Sequence, residues 1–126
     1  MLTILLVDHE PLQASLRKSV LENRFSDVRR VGDAAEALCL VEQPDFAASL
    51  GLVISGHHRP GISGPAFVAE LLARMPSLPV LVLGGEGDTA EAYSGQSVRF
   101  LPRPVDSEEM LATASRMVVR FEVKTA

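Results

Sequence analysis

The chain has 126 residues, 47% of them apolar, a length and composition that fit one domain with a sizeable core and leave no room for a separate effector domain. Its formal net charge is −4, with acids outnumbering bases and the Lys and Arg residues scattered, which argues against a nucleic-acid footprint. No apolar run reaches membrane-spanning length, so neither nucleic acid nor membrane is expected as a partner and a cytoplasmic address is expected.

Met1 to Val7 is apolar but short and lacks a basic flank, which reads as a strand over Thr3–Val7 and not as a leader. Pro11 suits the first position of a helix, and Leu12, Leu16, Val20 and Leu21 then share a face expected to be buried. A second strand is expected over Asp27–Val31. Asp33 with Glu36 forms a capping box that opens a helix with Ala34, Ala37, Leu38 and Val41 on its apolar side. The single Cys39 in this helix permits no disulfide and is expected to be a small interior or half-buried residue. Gln43 to Leu50 reads as a rather long connection into a third strand, Gly51–Ser55.

Ser63, Gly64 and Pro65 start a helix carrying Phe67, Val68, Leu71, Leu72 and Met75, and a fourth strand follows at Val80–Leu83. Asp88 with Glu91 would cap a short, weak helix, because Gly84, Gly85, Gly87 and Gly95 surround it. A fifth strand at Val98–Leu101 leads to a last helix capped by Asp106 and Glu109, with Met110, Leu111, Ala114, Met117, Val118 and Phe121 facing inward. All strands but the second are almost wholly apolar, as strands buried on both faces should be. Five strands alternating with five helices predict a parallel sheet covered on both sides, with its site at the carboxyl ends of the strands.

The residues at those ends carry a specific resemblance. Ile4-Leu5-Leu6-Val7-Asp8-His9-Glu10-Pro11, Arg59-Pro60-Gly61-Ile62-Ser63-Gly64, Pro79-Val80-Leu81-Val82-Leu83 and Phe100-Leu101-Pro102-Arg103-Pro104-Val105-Asp106 resemble, in this order, the landmarks of the receiver domain of two-component response regulators. The resemblance covers nearly the whole chain. It implies a flavodoxin-like doubly wound (βα)5 fold with a five-stranded parallel sheet in the order 2-1-3-4-5, a signalling role without catalysis, and a cis peptide bond before Pro104.

Carried over position by position, most of the family's phosphorylation pocket is missing. Of two adjacent acids that help hold Mg²⁺, Asp8 is kept and the second is His9. The phosphoacceptor aspartate aligns with Gly56, the hydroxyl residue after the fourth strand with Gly84, and the lysine that contacts the phosphoryl group with Arg103. The aromatic switch position is kept as Phe100. Formation of an aspartyl phosphate needs a carboxylate nucleophile, which glycine lacks. Mg²⁺ prefers an oxygen-rich octahedral site, so no cofactor is expected and Mg²⁺ binding should be weak or absent.

Two readings of the emptied pocket follow: Arg103 pairs with Asp8 as a counter-charge in place of the metal, or Arg103 points to solvent and water fills the gap. Asp8, His9 and His58 are weak candidates for a transition-metal site, set against histidines that merely line the rim. No nucleophile elbow surrounds Ser55 and no phosphate-binding loop is present, so no enzyme is expected. The domain is expected to act by binding a histidine kinase, a phosphotransfer protein or an effector, with a homodimer as a further option. Glu91, Tyr93, Phe100 and the outer side of Ser107 to Arg120 are the interface candidates that the resemblance implies. The alternatives are a sensor that binds a small ligand or a transition metal in the emptied pocket, and a receiver that is still phosphorylated.

Overall fold

The computed structural model describes residues 2–57, 61–85, 93 and 98–125, with side chains up to residue 119. Five strands, β1 (Thr3–Val7), β2 (Val28–Val31), β3 (Leu50–Gly56), β4 (Val80–Leu83) and β5 (Val98–Leu101), form one parallel sheet in the order β2-β1-β3-β4-β5. This is the doubly wound arrangement expected from the sequence. The helices are α1 (Pro11–Leu21), α2 (Ala34–Val41), α3 (Pro44–Ser49), α4 (Gly64–Arg74) and α5 (Ser107–Thr125). One apolar layer gathers Leu5, Val7, Val53 and Val82 under Ala37, Val41, Phe67 and Leu71, and the other gathers Ile4, Leu6, Ile54 and Leu81 under Leu21, Met110 and Ala114. The alternation of side chains along each central strand therefore feeds both layers, which is why those strands read as unbroken apolar runs.

The helix starts follow their chemistry. Asp33 Oδ1 accepts the Glu36 N–H at 2.8 Å, Ser63 Oγ accepts the Ala66 N–H at 3.3 Å, and Asp106 Oδ2 accepts the Glu109 N–H at 3.0 Å. Pro11 and Pro44 occupy first-turn positions, where a missing N–H costs nothing. The Arg103–Pro104 peptide bond is cis, as the resemblance implied.

Three expectations need correction. The connection from Gln43 to Leu50 contains α3, whose Phe46 is buried beneath the sheet edge. Leu12 and Leu16 are 70% and 63% exposed, and α1 instead buries Ala14 and Leu21. Residues 14, 17 and 21 share one face at helical spacing, so the inward stripe of α1 contains Arg17 and is not continuously apolar. Cys39 is exposed, because the buried side of α2 is taken by Ala34, Ala37 and Val41. The expected helix between Asp88 and Gly95, and the Phe121 side chain, lie outside the described residues. Among the described residues, no helix is long and apolar enough to cross a membrane.

Candidate functional site

The strand register brings the expected site residues together. Val7 lies opposite Ser55, and Gly56 opposite Leu83, so Asp8, Gly56 and Gly84 stand at the same edge of the sheet. Backbone bonds continue past the strands: Asp8 N donates to Val31 O, His57 N to Leu83 O, Gly84 N to Leu101 O and Arg103 N to Gly85 O. A cleft of about 720 Å³ opens there, lined by Asp8, His9, Gly56, His57, Gly84 and Arg103 together with residues from the start of α1. Its size falls within the range of roughly 300–1,000 Å³ common for ligand pockets.

Asp8 is 6% exposed and is the pivot of this edge. Its Oδ2 pairs with Arg17 Nη1 at 3.0 Å, and its Oδ1 accepts the Glu10 N–H at 3.0 Å. Its backbone carbonyl receives Arg30 Nε and Nη2 at 3.1 and 2.7 Å. The counter-charge of Asp8 is thus supplied by Arg17, which corrects the expected pairing with Arg103. The reason is geometric: α1 begins directly after the strand, and two turns later its inward face carries Arg17 back over the strand end. Burial pulls the Arg17 pKa below the ordinary arginine value, opposed by the charge and the hydrogen bond of Asp8.

The other acid at this edge is also engaged. Glu10 caps α1, its Oε1 and Oε2 accepting the N–H groups of Leu12 and Gln13 at 3.3 and 2.8 Å. With one carboxylate in an ion pair, one at a helix N-terminus and a glycine at the end of β3, the donor set does not fit the oxygen-rich shell that Mg²⁺ requires. Among the described residues, no group of three or more His, Cys, Asp and Glu side chains is placed to hold a metal ion. His9 lines the cleft beside Asp8, while His58 lies outside the described residues.

Gly84 and Gly85 adopt φ of +93° and +82°, the left-handed region that glycine enters freely. Next to them is a cluster that the sequence did not reveal. His57 lines the cleft and its Nδ1 lies 2.5 Å from the Tyr93 hydroxyl. The Tyr93 ring stacks on Phe100, with centroids 5.9 Å apart and planes at 24°, and the His57 ring stands edge-on to both. Tyr93 is only 9% exposed, which corrects its expected place on an outer interface. Phe100 is half-buried, its ring packing on the face of the sheet that also carries Val80 and Val82, while β5 borders a groove with Glu109 and Arg116 of α5. Glu91, the third interface candidate, lies outside the described residues.

A family model described as the response regulator receiver domain matches residues 4–115. The chain belongs to this family. It is 28% identical over 117 residues to the C4-dicarboxylate transport transcriptional regulatory protein DctD of Rhizobium meliloti, covering 90% of this chain and 25% of the relative. It is 27% identical over 74 residues to the DNA-binding transcriptional regulator NtrC of Klebsiella pneumoniae, covering 56% of this chain and 16% of that protein. The chain therefore spans about a quarter or less of the length of these curated relatives. Among solved structures, a receiver domain protein from Clostridium thermocellum superposes with a TM-score of 0.85 at 22% identity, covering 98% of both chains. The receiver domain of the hybrid histidine kinase CckA superposes with a TM-score of 0.75 at 27% identity, covering 92% of this chain and 98% of that one. This receiver is thus a two-component signalling module, of a family that acts by signalling and not by catalysis.

Proposed function

We propose that this receiver has lost its phosphoacceptor and signals by binding another protein without being phosphorylated. The observation that carries the reading is the pairing of Asp8 with Arg17 beside a strand that ends in Gly56. A phosphorylated receiver needs a carboxylate at the end of β3 and a cation to neutralise the incoming phosphoryl oxygens. Here the first is replaced by hydrogen, and the acid that would help hold the cation is already neutralised by a guanidinium. The partner would be a histidine kinase, a phosphotransfer protein or an effector. The likeness to DctD, NtrC and the CckA receiver supports a signalling partner of this kind. Phe100 and the exposed side of α5 are where we expect it to dock.

The size and mixed lining of the cleft favour a second reading, a sensor for a small ligand. Native intact mass spectrometry, with and without Mg²⁺ and acetyl phosphate, separates these cases. The unchanged mass of the bare chain is expected. A covalent phosphate adduct would return the protein to the phosphorylated receivers, with Asp8 the first acceptor to map. A co-purified small molecule would favour the sensor.

A further inference from the structure

His57 belongs at once to the cleft and to the aromatic cluster behind it. It lines the cavity with Asp8, Arg17 and Arg103, while its ring touches both Tyr93 and Phe100. Phe100 in turn belongs to β5, so three rings connect the cleft at the end of β3 to that edge strand.

The backbone around these rings is shaped to receive them. A Cβ at Gly64, the first residue of α4, would collide with the Tyr93 hydroxyl oxygen. One at Gly85 would lie 3.0 Å from His57 Cδ2 and 3.4 Å from Phe100 Cζ. Two glycines on different elements thus clear the space that the histidine and tyrosine fill. The bond from His57 Nδ1 to the Tyr93 hydroxyl fixes the tyrosine inward, where its ring backs Phe100.

We propose that His57, Tyr93 and Phe100 form an aromatic latch that holds the β5 edge in one conformation and links that edge to the cleft, with His57 as the positioning residue. The latch forms from side chains alone and its test uses no phosphodonor, so it and the reading of the cleft as unphosphorylated can fail separately.

The chain has one tyrosine and no tryptophan, so its intrinsic fluorescence reports on Tyr93 alone. In the full chain, acrylamide should quench Tyr93 far less than it quenches free N-acetyltyrosinamide. Replacing His57 by Leu fills space but removes the bond, whereas His57→Asn keeps a polar group near the place of Nδ1. His57→Leu should expose Tyr93 to acrylamide and speed amide exchange in β5 about fivefold, the factor that loss of one net hydrogen bond gives a local opening. His57→Asn should stay close to wild type in both. Equal behaviour of the Leu and Asn variants, or a readily quenched Tyr93 in the wild type, would overturn the latch. Tyr93→Phe removes the oxygen alone and reads the same bond from the other side. It should accelerate β5 exchange by a similar factor, and unchanged exchange would refute the proposal even if the His57 variants failed to fold.

Discussion

The Arg17 guanidinium and the Asp8 carboxylate meet at 3.0 Å with only 14% and 4% of their side chains exposed. A pair so placed is weakly screened by salt and stands between the solvent and the end of β1. Removing one partner leaves the other buried and uncompensated, which is costlier than never having had the pair.

Arg17→Gln is therefore expected to destabilise the domain by about 3 kcal/mol, measured by urea unfolding. The same change frees the Asp8 carboxylate. On its own it leaves a single carboxylate beside a strand that ends in glycine, so Mg²⁺ at millimolar concentration should leave the melting temperature of variant and wild type alike unchanged.

Rebuilding the pocket meets a backbone limit. Gly56 ends an extended strand and can accept a side chain conformationally, but Gly84 has φ +93°. A β-branched residue is strained there even though, among the described residues, a Cβ would meet Arg103 Cγ at an ordinary 3.8 Å. Gly84→Thr should cost about 2 kcal/mol in chemical denaturation. Mg²⁺-dependent stabilisation should return on combining Gly56→Asp with Arg17→Gln, and adding Gly84→Thr should lower stability without improving it.

The exposed leucines of α1 allow a test that reverses the usual rule for leucine. Leu16→Lys, at a position 63% exposed, should change unfolding free energy by no more than about 0.5 kcal/mol. Leu21→Ala, at a fully buried position on the same helix, should cost about 2–5 kcal/mol.

That contrast shows where the sequence was legible. The strands, the capped starts of α2, α4 and α5 and the layered sheet were readable because each rests on local chemistry: unbroken apolar runs, a side-chain oxygen three residues before an orphan N–H, proline in a first turn. The face of α1 departs from its leucine pattern because Leu12 and Leu16 are exposed, and the inward stripe is Ala14, Arg17 and Leu21 with a charge at its centre. The spacing of Arg17 between two inward residues was the available signal for the partner of Asp8. The position of Tyr93 against His57 depends on a tertiary contact across 36 residues, for which no periodicity exists.

Gly64 offers the sharpest test of that contact, because the atom that fills the space it leaves open can be removed by a single substitution. Alanine in place of glycine in the middle of a helix normally stabilises by about 0.5–1 kcal/mol, but Gly64 is the first residue of α4 and precedes Pro65, where a Cβ brings no such gain. At Gly64 the added methyl would collide with the Tyr93 hydroxyl oxygen and lie 3.1 and 3.2 Å from His57 O and Nδ1. The His57 backbone, held by its N–H bond to Leu83 O, stands on one side of it, so the tyrosine must give way. Gly64→Ala should therefore destabilise by about 1–3 kcal/mol, the usual cost of overpacking. In a Tyr93→Phe background the colliding oxygen is gone, and the cost should fall by about 1 kcal/mol, a coupling expected only of residues in contact. Strict additivity of the two changes in a double-mutant cycle would mean that the tyrosine hydroxyl does not occupy the space that Gly64 leaves open.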